Sequence, residues 1–160
     1  MVKVTINVDS VNILDRAFDR FADEVKDWQP AWEQVGEFMY EHEDRVFSSR
    51  GFGTWAPLAK GGDATLVDTG AMKASLTSKG GDNINKTTKD SLLFGSRVNA
   101  DGAPYPLFHQ RGTVKMPQRQ VIFFREEDKR ELMKIMQRYA VEIVKAVAKK
   151  AGGKASVSGQ

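Results

Sequence analysis

At 160 residues the chain is of single-domain size, and a compact fold of that length buries about 68–70% of the surface its unfolded chain exposes. It contains no cysteine, which excludes disulfide frameworks, thiolate metal sites and cysteine nucleophiles and suits a reducing cytoplasm. The net charge of +3 is unevenly placed: residues 1–50 hold 6 Lys/Arg against 11 Asp/Glu (−5), and residues 51–160 hold 18 against 10 (+8).

Such a split suits a nucleic-acid-binding basic half or head-to-tail contact between copies, unless the fold intermingles the two halves. No apolar run reaches the roughly 18–20 residues of a membrane span. Met1–Ser10 lacks a signal-peptide core, so neither export nor membrane insertion is expected.

Val2, Val4, Ile6 and Val8 alternate with Lys3, Thr5 and Asn7, which predicts an opening strand with one buried face. Asp9 or Ser10 can cap a helix carrying Val11, Leu14, Phe18, Phe21, Ala22 and Val25 on one stripe. Pro30 suits the first turn of a second helix, whose stripe Val35, Phe38, Met39, His42 and Val46 runs to about Phe47. Periodicity then stops. Residues 48–65, with Gly51, Gly53, Pro57, Gly61 and Gly62, form a first irregular excursion, longer than the ~12–15 residues usual for structureless loops.

Asp68 or Thr69 can cap a short helix through Met72 and Leu76. Ile84–Thr88 and Ser91–Val98 read as neighbouring strands with Lys89-Asp90 at the turn. Residues 99–120, broken by Gly102, Pro104, Pro106, Gly112 and Pro117, form a second excursion with a helical turn around Leu107–Gln110. Gln120–Phe124 is β-rich. Glu126, Glu127 and Asp128 then open a helix that closes on Lys149 and Lys150, both ends matching the helix dipole. At 1.5 Å per residue it is roughly 35 Å long. The expected whole is a single α+β domain over residues 1–150. A mixed or antiparallel sheet of about four strands is packed by two N-terminal helices and one long C-terminal helix. Residues 151–160 are small and polar and are expected to form a disordered tail.

Catalytic patterns are weak. Glu37, Glu41, His42 and Asp44 share one helix, but a metal site needs three or four convergent ligands, and His42 falls on the apolar stripe while its acidic neighbours point elsewhere. His109 has no accompanying nucleophile motif, and Gly51-Phe52-Gly53 lacks the strand and the Lys-Ser/Thr of a phosphate cradle. The expectation is therefore no enzyme, with no catalytic, metal or cofactor residues.

Recognition fits better. Phe52 and Trp55 are aromatics in a glycine-rich loop, either docking anchors or plugs folded back into the core. Arg97, Arg111, Lys115, Arg119 and Arg125, interleaved with Tyr105 and Phe108, can hold single-stranded nucleic acid or simply form a solvated basic face.

In order along the chain, Val35-Gly36, Gly53-Thr54-Trp55-Ala56-Pro57-Leu58 and Leu66-Val67-Asp68-Thr69-Gly70-Ala71-Met72 lead a motif series. Phe94-Gly95-Ser96, Tyr105 to Gly112 (with His109-Gln110) and Met116-Pro117-Gln118-Arg119-Gln120 complete it. The series resembles the phage virion-morphogenesis family, related to the tail-completion proteins of Mu-like and P2-like phages. The resemblance implies a structural protein assembled in the host cytoplasm and retained in the virion tail or neck. It implies partners among the connector, tail terminator and tail tube, a homo-oligomeric six-fold ring, no membrane, and DNA met only as it passes through the neck. A tail terminator or head-closure protein of the same assembly, and a basic nucleic-acid-binding domain, are the alternatives. The candidate interface or scaffold residues are Phe52, Trp55, Asp68, Thr69, Gly70, His109, Gly112, Pro117 and Arg119. Of these, Asp68 and Thr69 are expected to cap a helix, and His109 with Arg119 to brace the second excursion through side-chain hydrogen bonds.

Overall fold

The computed structural model describes residues 2–7, 19, 22–23, 25–150 and 154–159, the two terminal segments by their backbone. In chain order they form β1 (Val2–Asn7), α1 (Gln29–Ser48), α2 (Ala71–Thr77), β2 (Asn83–Thr87), β3 (Leu92–Ser96), α3 (Tyr105–Arg111), α4 (Glu126–Lys150) and β4 (Lys154–Gly159). The class is α+β. Of the two N-terminal helices expected, the second is α1; the first, over about 10–25, lies almost wholly outside the described residues.

The expected four-stranded sheet is replaced by two separate antiparallel pairs, β1 with β4 and β2 with β3. Lys154–Gly159, expected in a disordered tail, instead runs against β1 with Val4 opposite Val157. The β2–β3 hairpin turns at Lys89-Asp90 and sets Asn85 opposite Phe94. The β-rich run at Gln120–Phe124 is not a strand, for a local reason. The Gln110 side chain does what a neighbouring strand would do: its Oε1 accepts from the N–H groups of Val121 and Ile122, both at 2.9 Å. Its Nε2 donates to the Ile122 carbonyl at 2.7 Å. With those peptide groups satisfied by one amide, the run has no need of a ladder partner.

α1 starts where Pro30 fits the first turn and Asp27 Oδ1 accepts the Gln29 N–H at 3.0 Å. The Trp28 N–H donates to the Lys89 carbonyl at 3.0 Å, which ties the hairpin turn to the start of the helix. One stretch of α1 packs Val35 and Met39 with Ile135 of α4, flanked by Leu92, Phe94 and Ile122. The C-terminal turn of α1 supplies Val46 and Phe47 to a second cluster with Trp55, Met72, Leu76 and Val121. Phe94 and Ile122 touch both clusters, so the hairpin and the Gln110-bound run join them. Farther along α4, Ile143 and Val147 pack on Val25.

Trp55 sits inside the second cluster at 8% exposure, edge-on to Phe47 at 5.6 Å between ring centroids. Trp55→Ala should therefore lower the unfolding free energy by about 3–5 kcal/mol, the usual cost of emptying a large aromatic site. Urea titration followed by circular dichroism measures this; a loss under about 1 kcal/mol would mean the indole is not a core residue.

Candidate interaction surface and its supports

The two irregular excursions are held to each other by side chains. Trp55 Nε1–H donates to the Gln120 carbonyl at 2.7 Å. Arg119, only 5% exposed, extends its guanidinium to the first excursion, Nε to the Ala56 carbonyl and one terminal nitrogen to the Pro57 carbonyl, both at 2.7 Å. Of the two readings of Trp55, core plug or docking anchor, the plug is the one observed. Gly51 makes room for it: a Cβ there would collide with the indole.

The turn leaving α1 is unusual, because Arg50, Gly51, Phe52 and Gly53 all have positive φ, at 54°, 65°, 53° and 81°. For Arg50 and Phe52 this left-handed geometry costs about 1–2 kcal/mol each. Phe52 recovers part of it through its ring, which lies 3.5 Å under the Arg125 guanidinium and edge-on to Phe123 at 6.0 Å. Phe52 is half-buried and structural in its contacts.

In the second excursion, bracing by His109 and Arg119 takes a different form from the one expected. The Arg119 backbone N–H donates to the His109 carbonyl at 2.8 Å, while the Arg119 side chain leaves for the first excursion. His109 Nδ1 is buried without a hydrogen-bond partner. Burial, then the nearby Arg119 charge, holds its imidazole below the usual histidine range. Gly112 (φ 72°) packs where a Cβ would come within 2.9 Å of the Gln118 nitrogen, so no other residue fits without displacing backbone. Pro117 is exposed just before Gln118.

Asp68 and Thr69 do not cap α2 as expected. Gly70 (φ 82°) takes the cap position without a side-chain bond, and Thr69 Oγ1 accepts the Ala71 N–H at 3.3 Å. These three residues and His109 line one cleft of about 790 Å³, together with Tyr105 and Asp82. Burial, then the Asp82 and Asp68 charges, pushes the Tyr105 phenol up.

Phe52, Trp55, Gly112, Pro117 and Arg119 are not among the cleft-lining residues. Apart from the exposed Pro117, the candidates thus divide into internal residues and cleft wall. The basic stretch also divides: Arg119 is buried on carbonyls, and Arg125 is paired with Asp128 and Glu127. Arg97, Arg111 and Lys115 stay exposed. The acidic first third is partly neutralised by later residues, Asp44 by Lys73 at 2.8 Å and Glu37 by Lys79 at 2.5 Å, so the charge halves are intermingled there.

Sequence reasoning missed a buried polar cluster. His42 and Glu43 are 0% exposed, and a hydrogen bond of 3.1 Å joins His42 Nδ1 to a Glu43 carboxyl oxygen. His42 Nε2 faces Asp128 Oδ2 at 3.4 Å without hydrogen-bonding geometry. Asp128, in the first turn of α4, accepts the Arg125 backbone N–H at 3.0 Å and its Nε at 2.9 Å, the reach-back of a capping box. The available signals were His42 on the apolar stripe and Glu43 at helical spacing from Met39 and Val46. Among the described residues no three His, Cys, Asp or Glu side chains are placed to hold a metal ion.

Burial pushes the Glu43 carboxyl above its usual range of about 4.5, against the hydrogen bond and charge of His42 and with the Asp128 charge adding. Burial also pushes Asp128 up, but the hydrogen bonds from Arg125 and the charges of His42 and Arg125 outweigh it and hold that carboxyl below 3.8. A raised carboxyl contributes stability below its unfolded value and loses it as pH rises through the folded one; a depressed carboxyl does the reverse. The protein should therefore lose stability above about pH 4.5 through Glu43 and below about pH 3.8 through Asp128. Glu43→Gln should remove the first loss, about 1.4 kcal/mol for each unit by which the carboxyl is raised. Urea midpoints from roughly pH 4 to pH 8 check this, and parallel curves for the two proteins would contradict it.

No protein-family model, no curated protein and no solved structure matches this chain.

Proposed function

We propose that the chain is a structural component of a bacteriophage tail end or neck that completes the tail and enables head–tail joining, and that it catalyses nothing. With no matching family model, the reading rests on the order of the motifs and on where their side chains go. Trp55, Gln110 and Arg119, each inside a motif of that series, fasten the two excursions to the core and to each other. What the fastened excursions present outward includes several large apolar side chains among polar and charged ones.

Leu58 and Val67 on or beside the first excursion, and Leu107, Phe108 and Val114 on the second, are exposed. Of the large hydrophobics exposed among the described residues, only Leu93 and Met133 lie elsewhere. Exposed apolar groups gathered on rigid loops are the composition of a protein-binding surface.

Leu107→Asp and Phe108→Asp alter exposed positions of α3 outside the cleft. They should leave the unfolding midpoint nearly unchanged while weakening docking by roughly 2 kcal/mol, about 30-fold. In a phage that depends on this chain, electron micrographs should then show separate filled heads and headless tails. Normal particles and normal infectivity with both variants would remove the tail-joining role.

A further inference from the structure

One feature of the second excursion is used by neither the core nor the fasteners. Thr113 and Met116 exchange backbone hydrogen bonds at 2.8 and 3.2 Å, and the Lys115 N–H donates to Thr113 Oγ1 at 3.3 Å. This closes a tight turn with Val114 fully exposed and Lys115 exposed beside it. The base of the turn is fixed. Gly112 is pressed on Gln118, the Gln118 amide donates to the Gln110 carbonyl at 2.9 Å, and the Arg119 N–H holds the His109 carbonyl. An apolar tip flanked by Arg111 and Lys115 on a fixed base has little conformational freedom left to lose on binding.

The cleft has the opposite character. Its ionised lining groups are Asp68 and Asp82, and Val67, Met72 and Val98 supply apolar wall. Its volume of about 790 Å³ falls in the roughly 300–1,000 Å³ range of sites that enclose a compact group. An apolar cleft with two carboxylates fits a cationic knob with an apolar apex, which is what the Thr113–Met116 turn presents.

We propose that the Thr113–Met116 turn of one copy seats in the Asp68/Asp82 cleft of a second copy, with Val114 against the apolar wall and Arg111 and Lys115 facing the carboxylates. The proposal deepens the self-assembly part of the tail reading, naming the faces that meet. The contact is directional, so each copy keeps a free tip or a free cleft until assembly closes.

The chain has no cysteine, so single cysteines report this contact without competing thiols. Val114→Cys in one population and Val67→Cys in another, mixed and oxidised, should form the mixed disulfide at least about tenfold faster than Val114→Cys paired with Met133→Cys; such a ratio corresponds to about 1.4 kcal/mol of preference. Met133 is exposed on α4, outside the cleft lining. Asp68→Lys with Asp82→Lys on the cleft partner should reduce the rate to that of the control. Adding Arg111→Glu and Lys115→Glu to the tip partner should restore it. Equal rates for the Val67 and Met133 pairs, or no effect of the charge changes, overturn the proposal. That failure leaves the tail role standing, since particle joining is scored with Leu107 and Phe108; a fast disulfide with normal particles in those variants removes the tail role alone.

Discussion

Two long irregular segments can stay folded only if their buried peptide groups find partners without a sheet. Arg119 is the side chain on which this depends most. Its planar fork reaches two successive carbonyls, Ala56 and Pro57, from the other excursion, a geometry a lysine ammonium could not reproduce. No carboxylate pairs with it among the described residues, so carbonyl dipoles alone stabilise a guanidinium that is 5% exposed. Trp55 and Gln110 extend the same solution, bonding the Gln120 and Ile122 carbonyls. Removing any one leaves part-buried carbonyls unpaired, at up to about 1–3 kcal/mol each.

The same economy links the strained turn to the helix seam. Left-handed Phe52 lies under Arg125, Arg125 grips Asp128, and Asp128 faces His42 of α1, which carries Glu43 with it. Burying so many ionisable groups is not in itself stabilising, because desolvation offsets most of the attraction. Breaking the fully buried His42–Glu43 pair, however, strands the group left behind and costs about 3–5 kcal/mol. The cluster links α1, α4 and the first excursion through one chain of contacts.

Elements written in periodicity were legible: α1 from Pro30 and its stripe, α4 from its charged ends, and the β2–β3 hairpin from its turn. What periodicity cannot express was missed. Gln120–Phe124 has strand composition, yet a single glutamine ten residues upstream of its start occupies its backbone. Lys154–Gly159 looks too small and polar to pack, but strand pairing uses backbone groups that composition does not report. Glu43 stands four residues after Met39 and three before Val46 and so shares their buried side of α1; its charge, not its position, kept it off the apolar stripe. Among the candidate residues, chemistry alone could not separate Trp55 the plug from Phe108 the exposed ring, since both are aromatics in irregular segments.

That separation bears on what a family resemblance can carry. The resembling residues Trp55, Gln110, Gly112 and Arg119 act inward, as fasteners and fit, and inward constraints are shared by any protein built on the same scaffold. On the reading proposed, contacts with a partner would depend instead on outward groups such as Leu107, Phe108 and Val114, whose identities the scaffold does not dictate. On the reading proposed, the inward set would make the chain a tail-end component and the outward set would choose its neighbours. Binding specificity would then change by substitution at the exposed positions while the Arg119 and Trp55 fasteners stayed fixed, because only the latter are tied to the survival of the fold.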